Sequence, residues 1–163
     1  MRVFADALLD ELAAKAAAVP RGRAHYNIHA SADELLQRFL VVAERRSYFR
    51  PHRHATKAEL ATLLRGGVDV LTFDDDGRVI ARWSVGAGEG RFAYETPPLT
   101  WHTLLARADG TAFLEVKLGP YDPATAAEFA PWAPPEGDAA APAYLAWLRT
   151  APPGDRFPGA AAR

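Results

Sequence analysis

Leu8, Leu9, Leu12 and Ala16 recur at helical spacing along residues 5–18, and Pro20 ends the pattern. The spacing predicts a short amphipathic helix whose apolar stripe covers the rest of the fold. Residues 21–30, RGRAHYNIHA, are polar without a period and predict an irregular arm. Ser31 and Glu34 stand at capping-box spacing, which predicts one helical turn. The following LQRFLVVAE fits helix or strand, and we favour a strand over Arg38–Glu44.

Short apolar runs then alternate with turn residues. Ser47–His54 and Leu60–Leu64 read as strands, the second ended by Gly66-Gly67. Val68–Phe73 and Val79–Val85 flank the turn Asp74-Asp75-Asp76-Gly77, the pattern of a hairpin. Gly86–Gly90 is a glycine-rich loop without the Gly-Lys-Ser/Thr ending of a phosphate loop. Phe92–Glu95, Thr103–Arg107 and Ala112–Leu118 are further strands, the last two joined across Asp109-Gly110. Beyond Gly119-Pro120, residues 120–142 are rich in proline and alanine and predict an irregular wrapping segment. Ala143–Thr150 predicts a short helix docking through Tyr144, Leu145, Trp147 and Leu148, and Pro152 onward predicts a frayed tail.

Many short strands with glycine turns predict a mainly β barrel or sandwich. The length of 163 residues suits one domain. Its parts are an N-terminal helix and arm (1–30), a barrel (31–120) and a C-terminal wrapping segment with its tail (121–163).

Charge and composition remove several function classes. A formal net charge of −1 leaves no electrostatic footprint for nucleic acid. The chain lacks cysteine, so disulfides, thiolate metal sites and a cysteine nucleophile are excluded. Asp6, Asp10 and Glu11 interrupt the N-terminal apolar positions, and no run approaches a membrane span of about 20 apolar residues. The expectation is a cytoplasmic protein.

The candidate chemistry lies in the histidines. His52 and His54 are two apart, so in a strand they share a face while Arg53 points away. Glu59 returns to that face if Ala55–Ala58 turn, and His102 follows the Pro97-Pro98 break. Three imidazoles and one carboxylate form a borderline donor set for one divalent transition ion: Zn, Fe, Mn, Ni, Co or Cu.

Over residues 52–66, His-x-His, four residues, Glu, six residues and Gly reproduce the first cupin motif. The second is weaker. Pro97 and His102 stand at its spacing, but Leu99 and Ala106 replace its glycine and asparagine, and Arg46 replaces the glycine before the first motif. SYFRPHRH (47–54), FDDDG (73–77), WHT (101–103), FLEVKLGPYDP (113–123) and FAPWAPPEGD (129–138) together resemble the WbuC family of cupin-fold metalloproteins. Asn27, His29, Gln37 and Arg38 fit the N-terminal pattern of that family. The resemblance covers about residues 5–150. It implies a small cupin barrel (double-stranded β-helix, or jelly roll) with helical and irregular extensions. It also implies a link to O-antigen and other surface-polysaccharide synthesis, with no settled reaction.

Other residues carry two readings each. Tyr48 and Arg50 share parity with His52 and His54, and either line the pocket or cap the barrel mouth. Phe113, Glu115 and Lys117 share one face of their strand. On residue type alone the charged pair belongs in solvent, whereas the family motif points it into the barrel as a proton-handling or hydroxyl-binding pair. Asn27 and His29 share parity in the arm, with His29 either structural or an acid–base group. Trp101 is a sugar-stacking platform or a buried aromatic. The leading expectation is a metal-dependent enzyme of isomerase or epimerase type, acting on a small polar ligand such as a sugar or nucleotide sugar. The alternatives are a non-catalytic ligand-binding or regulatory cupin and an iron-dependent oxygenase. A homodimer is the prior for assembly.

Overall fold

A computed structural model describes residues 1–159. Helix α1 (Asp6–Ala18) precedes β1 (Arg23–Asn27), β2 (Leu36–Ala43), β3 (His52–Arg53), β4 (Glu59–Arg65), β5 (Gly67–Phe73) and β6 (Val79–Gly86). Then come β7 (Ala93–Thr96), β8 (Trp101–Ala106), β9 (Thr111–Leu118), β10 (Glu128–Phe129) and α2 (Ala141–Leu148). The strands form two five-stranded antiparallel sheets, ordered β1-β2-β9-β4-β7 and β10-β3-β8-β5-β6. The sheets face each other as a jelly-roll barrel, mainly β with a helix at each end of the chain.

Alternation along the strands sorts side chains into three apolar clusters. Val41, Leu63, Val70, Leu104 and Phe113 meet inside the barrel. Leu9 and Leu12 of α1 cover Leu40, Val42 and Ala112 on the outer face of the first sheet. Leu71, Phe73 and Leu105 of the second sheet take Tyr48, Tyr144 and Leu148 on their outer face. Both faces of β2 are therefore covered, which explains its unbroken apolar run.

Three features depart from the sequence reading. The arm at 21–30 contains β1, an edge strand pairing with β2 from Arg23↔Ala43 to Asn27↔Phe39. Ser31–Glu34 forms one hydrogen-bonded turn that does not continue as a helix, the Glu34 N–H donating to the Ser31 carbonyl at 3.3 Å while Glu34 Oε1 accepts from the Ala30 N–H at 2.7 Å. The predicted strand Ser47–His54 reduces to His52–Arg53, because residues 47–51 make no ladder. The segment after Pro152 is also tied down. The Asp155 carbonyl accepts from the Val79 N–H at 2.8 Å, and the Phe157 ring lies 4.9 Å from Tyr144. Residues 160–163 of the predicted tail fall outside the described residues.

Arg46, where the first motif expects glycine, has a local role. Its guanidinium donates to the carbonyls of Ala17 (2.9 Å), Val19 (3.1 Å) and Pro20 (2.9 Å), satisfying the free C-terminal end of α1.

Candidate metal centre

The second sheet supplies the imidazoles. β3 pairs with β8 at His52↔His102, so the two rings meet with centroids 4.5 Å apart. His54 follows β3, its ring centroid 5.2 Å from that of His52 and 5.8 Å from that of His102. One ligand nitrogen from each of the three lies within 4.8 Å of the others. Glu59 enters from the facing sheet. Its Oε2 is 3.0 Å from His54 Nε2 and its Oε1 is 3.9 Å from His102 Nε2.

The hydrogen bonds around the rings fix their tautomers. Each Nδ1 donates to a backbone carbonyl: His52 to Arg50 (3.0 Å), His54 to Ala126 (2.6 Å) and His102 to Thr100 (2.9 Å). A carbonyl only accepts, so the proton is on Nδ1 and each Nε2 offers a lone pair. Buried His102 Nε2 has no hydrogen-bond partner among the described residues. His54 Nε2 faces a carboxylate oxygen, lone pair against lone pair, unless a cation lies between them. Burial, then the charge of His102, pushes His52 down to about 3. Burial also lowers His102, against the pull of Glu59. Neutral imidazoles with outward Nδ1–H anchors and converging Nε2 atoms fit a transition-metal ion.

Register places a polar row beside them. Across β7, β4, β9 and β2, Thr96, Glu59, Lys117 and Gln37 are successive partners, so their side chains share the inner face. The next row holds Tyr94, Ala61, Glu115, Phe39 and Asn27. Lys117 Nζ lies 2.7 Å from Glu115 Oε1 and 3.2 Å from Glu59 Oε2. The pair belongs to the barrel interior, not to solvent.

Burial acts to raise Glu59, but the charge of Lys117 opposes it and the carboxyl is held below its ordinary range. Burial, reinforced by Glu59 and only partly offset by Lys117, pushes Glu115 up to about 7. Burial opposes the charge on Lys117, yet Glu115 and Glu59 prevail and raise its affinity for the proton.

A cavity of about 770 Å³ opens onto this row, lined by Asn27, His29, Gln37, Phe39, Glu115 and Lys117 among others. The His29 Nδ1 lies 3.0 Å from both the N–H and the carbonyl oxygen of Arg38, which anchors the ring to β2. His29 stands in the cavity wall outside the group of three imidazoles. Arg50 lines a neighbouring cavity with His52 and His54 while donating to the carbonyls of Ala130 (2.9 Å) and Ala133 (3.1 Å).

Two expected pocket residues lie elsewhere. Tyr48 packs in the outer cluster and donates its hydroxyl to the Pro134 carbonyl at 2.9 Å. Strand parity does not carry it inward, because its segment is irregular. Trp101 is next to His102 in a regular strand and so points to the opposite face. There it meets Trp132, donates to Asp75 Oδ1 at 2.9 Å and lies under the Arg53 guanidinium.

Sequence reasoning gave no site role to Tyr94 or Arg23, and named Gln37 only as fitting the family pattern. Tyr94 shares parity with Thr96, and burial followed by Glu59 and Glu115 raises its hydroxyl well above the ordinary value. Gln37 shares parity with Phe39 and Val41, a signal available once β2 begins at Leu36. Arg23 sits in β1, whose polar alternation gave no strand signal.

The jelly roll and its histidine cluster define a cupin-fold protein with a triad that could hold a metal ion. Solved structures agree on the fold. KdgF from Halomonas sp. matches at TM-score 0.50 and 17% identity, over 66% of this chain and 86% of its own. A cupin 2 conserved barrel domain protein from Rhodopseudomonas palustris matches at 0.50 and 19%, over 66% of each chain. CapF, solved with the inhibitor 3-isopropenyl-tropolone, matches at 0.53 and 17%, over 68% of this chain and 32% of its own. A family model described as "Domain of unknown function (DUF6016)" matches residues 4–85, and the chain belongs to that family. No curated protein matches the chain. Among the described residues no helix is long and apolar enough to cross a membrane.

Proposed function

We propose that this protein binds one divalent transition ion through His52, His54, His102 and Glu59, and acts there on a sugar or nucleotide sugar in surface-polysaccharide synthesis. The observation that carries the reading is the row Glu115–Lys117–Glu59, held in hydrogen-bond contact beside three converging imidazoles at a polar cavity. The resemblance to the WbuC family supports the sugar assignment.

When bound, such an ion polarises a carbonyl or ligates neighbouring hydroxyls. The chain's own groups do the rest. Lys117 keeps Glu59 ionised and oriented. Glu115, with its carboxyl near neutrality, is matched to giving and taking a proton at physiological pH, as an isomerase or epimerase requires. Phe39 and Ala61 flank Glu115 along its row, with Tyr94 one place beyond. Asn27 and His29 supply polar contacts from the cavity wall. The proposal takes the protein to be cytoplasmic and homodimeric, and analytical ultracentrifugation tests the second point.

The functional test is turnover of a panel of nucleotide sugars by metal-loaded protein. A substrate is expected whose turnover falls about 100-fold or more in Glu115→Gln with metal content unchanged. Binding without turnover across the panel would replace the enzyme reading with a ligand-binding or regulatory one.

A further inference from the structure

The imidazole cluster shares a cavity with a pair of arginines. A space of about 270 Å³ is lined by His52 and His54 and also by Arg21, Arg23, Lys117 and Glu136. Arg21 and Arg23 line the larger cavity beside Glu115 as well, so the two spaces share a wall.

Arg23 is fixed by neutral groups. Its Nη1 donates to the Tyr48 carbonyl at 3.0 Å and reaches the Ser47 hydroxyl at 3.4 Å, and its guanidinium lies over the Phe49 ring at 4.6 Å. None of these neutralises its charge. Among the described residues, the carboxylate it meets is that of Glu136. Arg21 Nε donates to the other oxygen of the same carboxylate at 2.8 Å. Two guanidiniums thus converge on one oxyanion, the geometry that recognises phosphate or carboxylate.

Glu136 is held far less firmly. It is the second residue of the turn Pro135–Asp138, closed by the Asp138 N–H to the Pro135 carbonyl at 3.2 Å. Gly137 takes φ +82°, the left-handed value a type II turn needs at its third residue. Residues 135–140 are all exposed. Arg23 is built into the barrel rim, whereas Arg21 and Glu136 both sit on surface turns.

We propose that Arg21 and Arg23 are the oxyanion-binding end of the ligand site, and that Glu136 holds that place until a ligand's own phosphate or carboxylate displaces it. The ligand class is a sugar carrying an anionic group: a sugar phosphate, a nucleotide sugar or a sugar carboxylate. This deepens the function proposed above and rests on it for the metal-bound end of the ligand. A purely structural role, in which Glu136 ties the turn to the barrel, predicts the opposite response to its removal.

The test is calorimetric titration of the full chain with inorganic phosphate, glucose 1-phosphate, glucuronate and neutral glucose. Glu136→Gln is expected to bind the anions at least fivefold tighter than wild type, with glucose unchanged. Adding Arg21→Gln or Arg23→Gln to that variant is expected to weaken anion binding at least tenfold. Arg21 is mostly exposed, so its variant serves if Arg23→Gln fails to fold. A larger gain for glucose 1-phosphate than for glucuronate identifies a phosphate ligand, and the reverse a carboxylate. Folded Glu136→Gln that binds each anion no better than wild type, or binds none, overturns the inference. His52→Ala with His54→Ala separates the two readings. Anion binding retained in that double variant leaves the arginine site standing, and metal retained in it sinks the metal reading alone. Metal bound by Glu136→Gln without its gain in anion binding does the reverse.

Discussion

Lys117→Met keeps an unbranched apolar side chain and deletes the ammonium, which lies 5.4 Å from the Phe39 ring centroid. That group lies 2.7 Å from Glu115 and 3.2 Å from Glu59. At an effective dielectric of about 20, each contact is worth about 5 kcal/mol of gross attraction, most of it offset by desolvation. Removing one partner of such a buried cluster costs about 3–5 kcal/mol net, because uncompensated charge is left behind. The cost depends on pH through Glu115. Its carboxyl is raised to about 7 in the fold, so its favourable state is the protonated one. Stability linked to it is fully present below the ordinary carboxylate range and is lost as pH rises through about 7. At pH 5.5 Glu115 carries a proton and Lys117 has one carboxylate to balance. At pH 8 it has two. Urea unfolding of metal-free protein should therefore show a penalty near 3–5 kcal/mol at pH 8 and a clearly smaller one at pH 5.5. A penalty below about 1 kcal/mol at both pH values, as for a surface pair, would refute the buried cluster.

Leu99 has φ +62° where the cupin motif expects glycine, so Leu99→Gly should raise stability by up to about 1 kcal/mol, read as a higher melting temperature. The Tyr144 hydroxyl is buried without a partner among the described residues. Tyr144→Phe should therefore be neutral or stabilising by about 1 kcal/mol in denaturant titration, and a loss above that would reveal a missing partner. The Glu136 carboxyl is held below its ordinary range, with burial opposing and the Arg21 and Arg23 hydrogen bonds prevailing. A depressed carboxyl contributes stability above the ordinary carboxylate range and loses it on acidification. Glu136→Gln should accordingly melt below wild type at neutral pH, and the two curves should converge as pH falls.

Local patterns carried much of this fold, and their failures have physical causes. Helix α1 was legible because one face of it is polar, and the hairpin β5–β6 because its apolar runs flank a local Asp-Gly turn. β2 was ambiguous because the barrel interior and α1 bury both of its faces. β1 was invisible because an edge strand at a cavity rim carries arginine, histidine and asparagine in place of apolar alternation. Parity grouped Glu115 with Lys117 and separated them from Leu114. Which group faces inward was decided by α1, which covers Leu40 and leaves Leu114 against that outer cluster. The same rule failed for Tyr48, whose segment has no ladder to impose alternation. The meeting of His102 with His52 depends on register between strands about 50 residues apart, which no local pattern contains. Trp101 was read from its neighbour, although adjacent residues in a strand face opposite ways.

Metal stoichiometry is the most direct measure of the central claim. Equilibrium dialysis of the full chain against zinc, with elemental analysis, should give one ion per chain. His102→Ala should bind at least about 100-fold more weakly, since the orphaned Nε2 is lost from the donor set. Wild-type protein that takes up no ion, or His102→Ala that binds as tightly as wild type, would contradict the account.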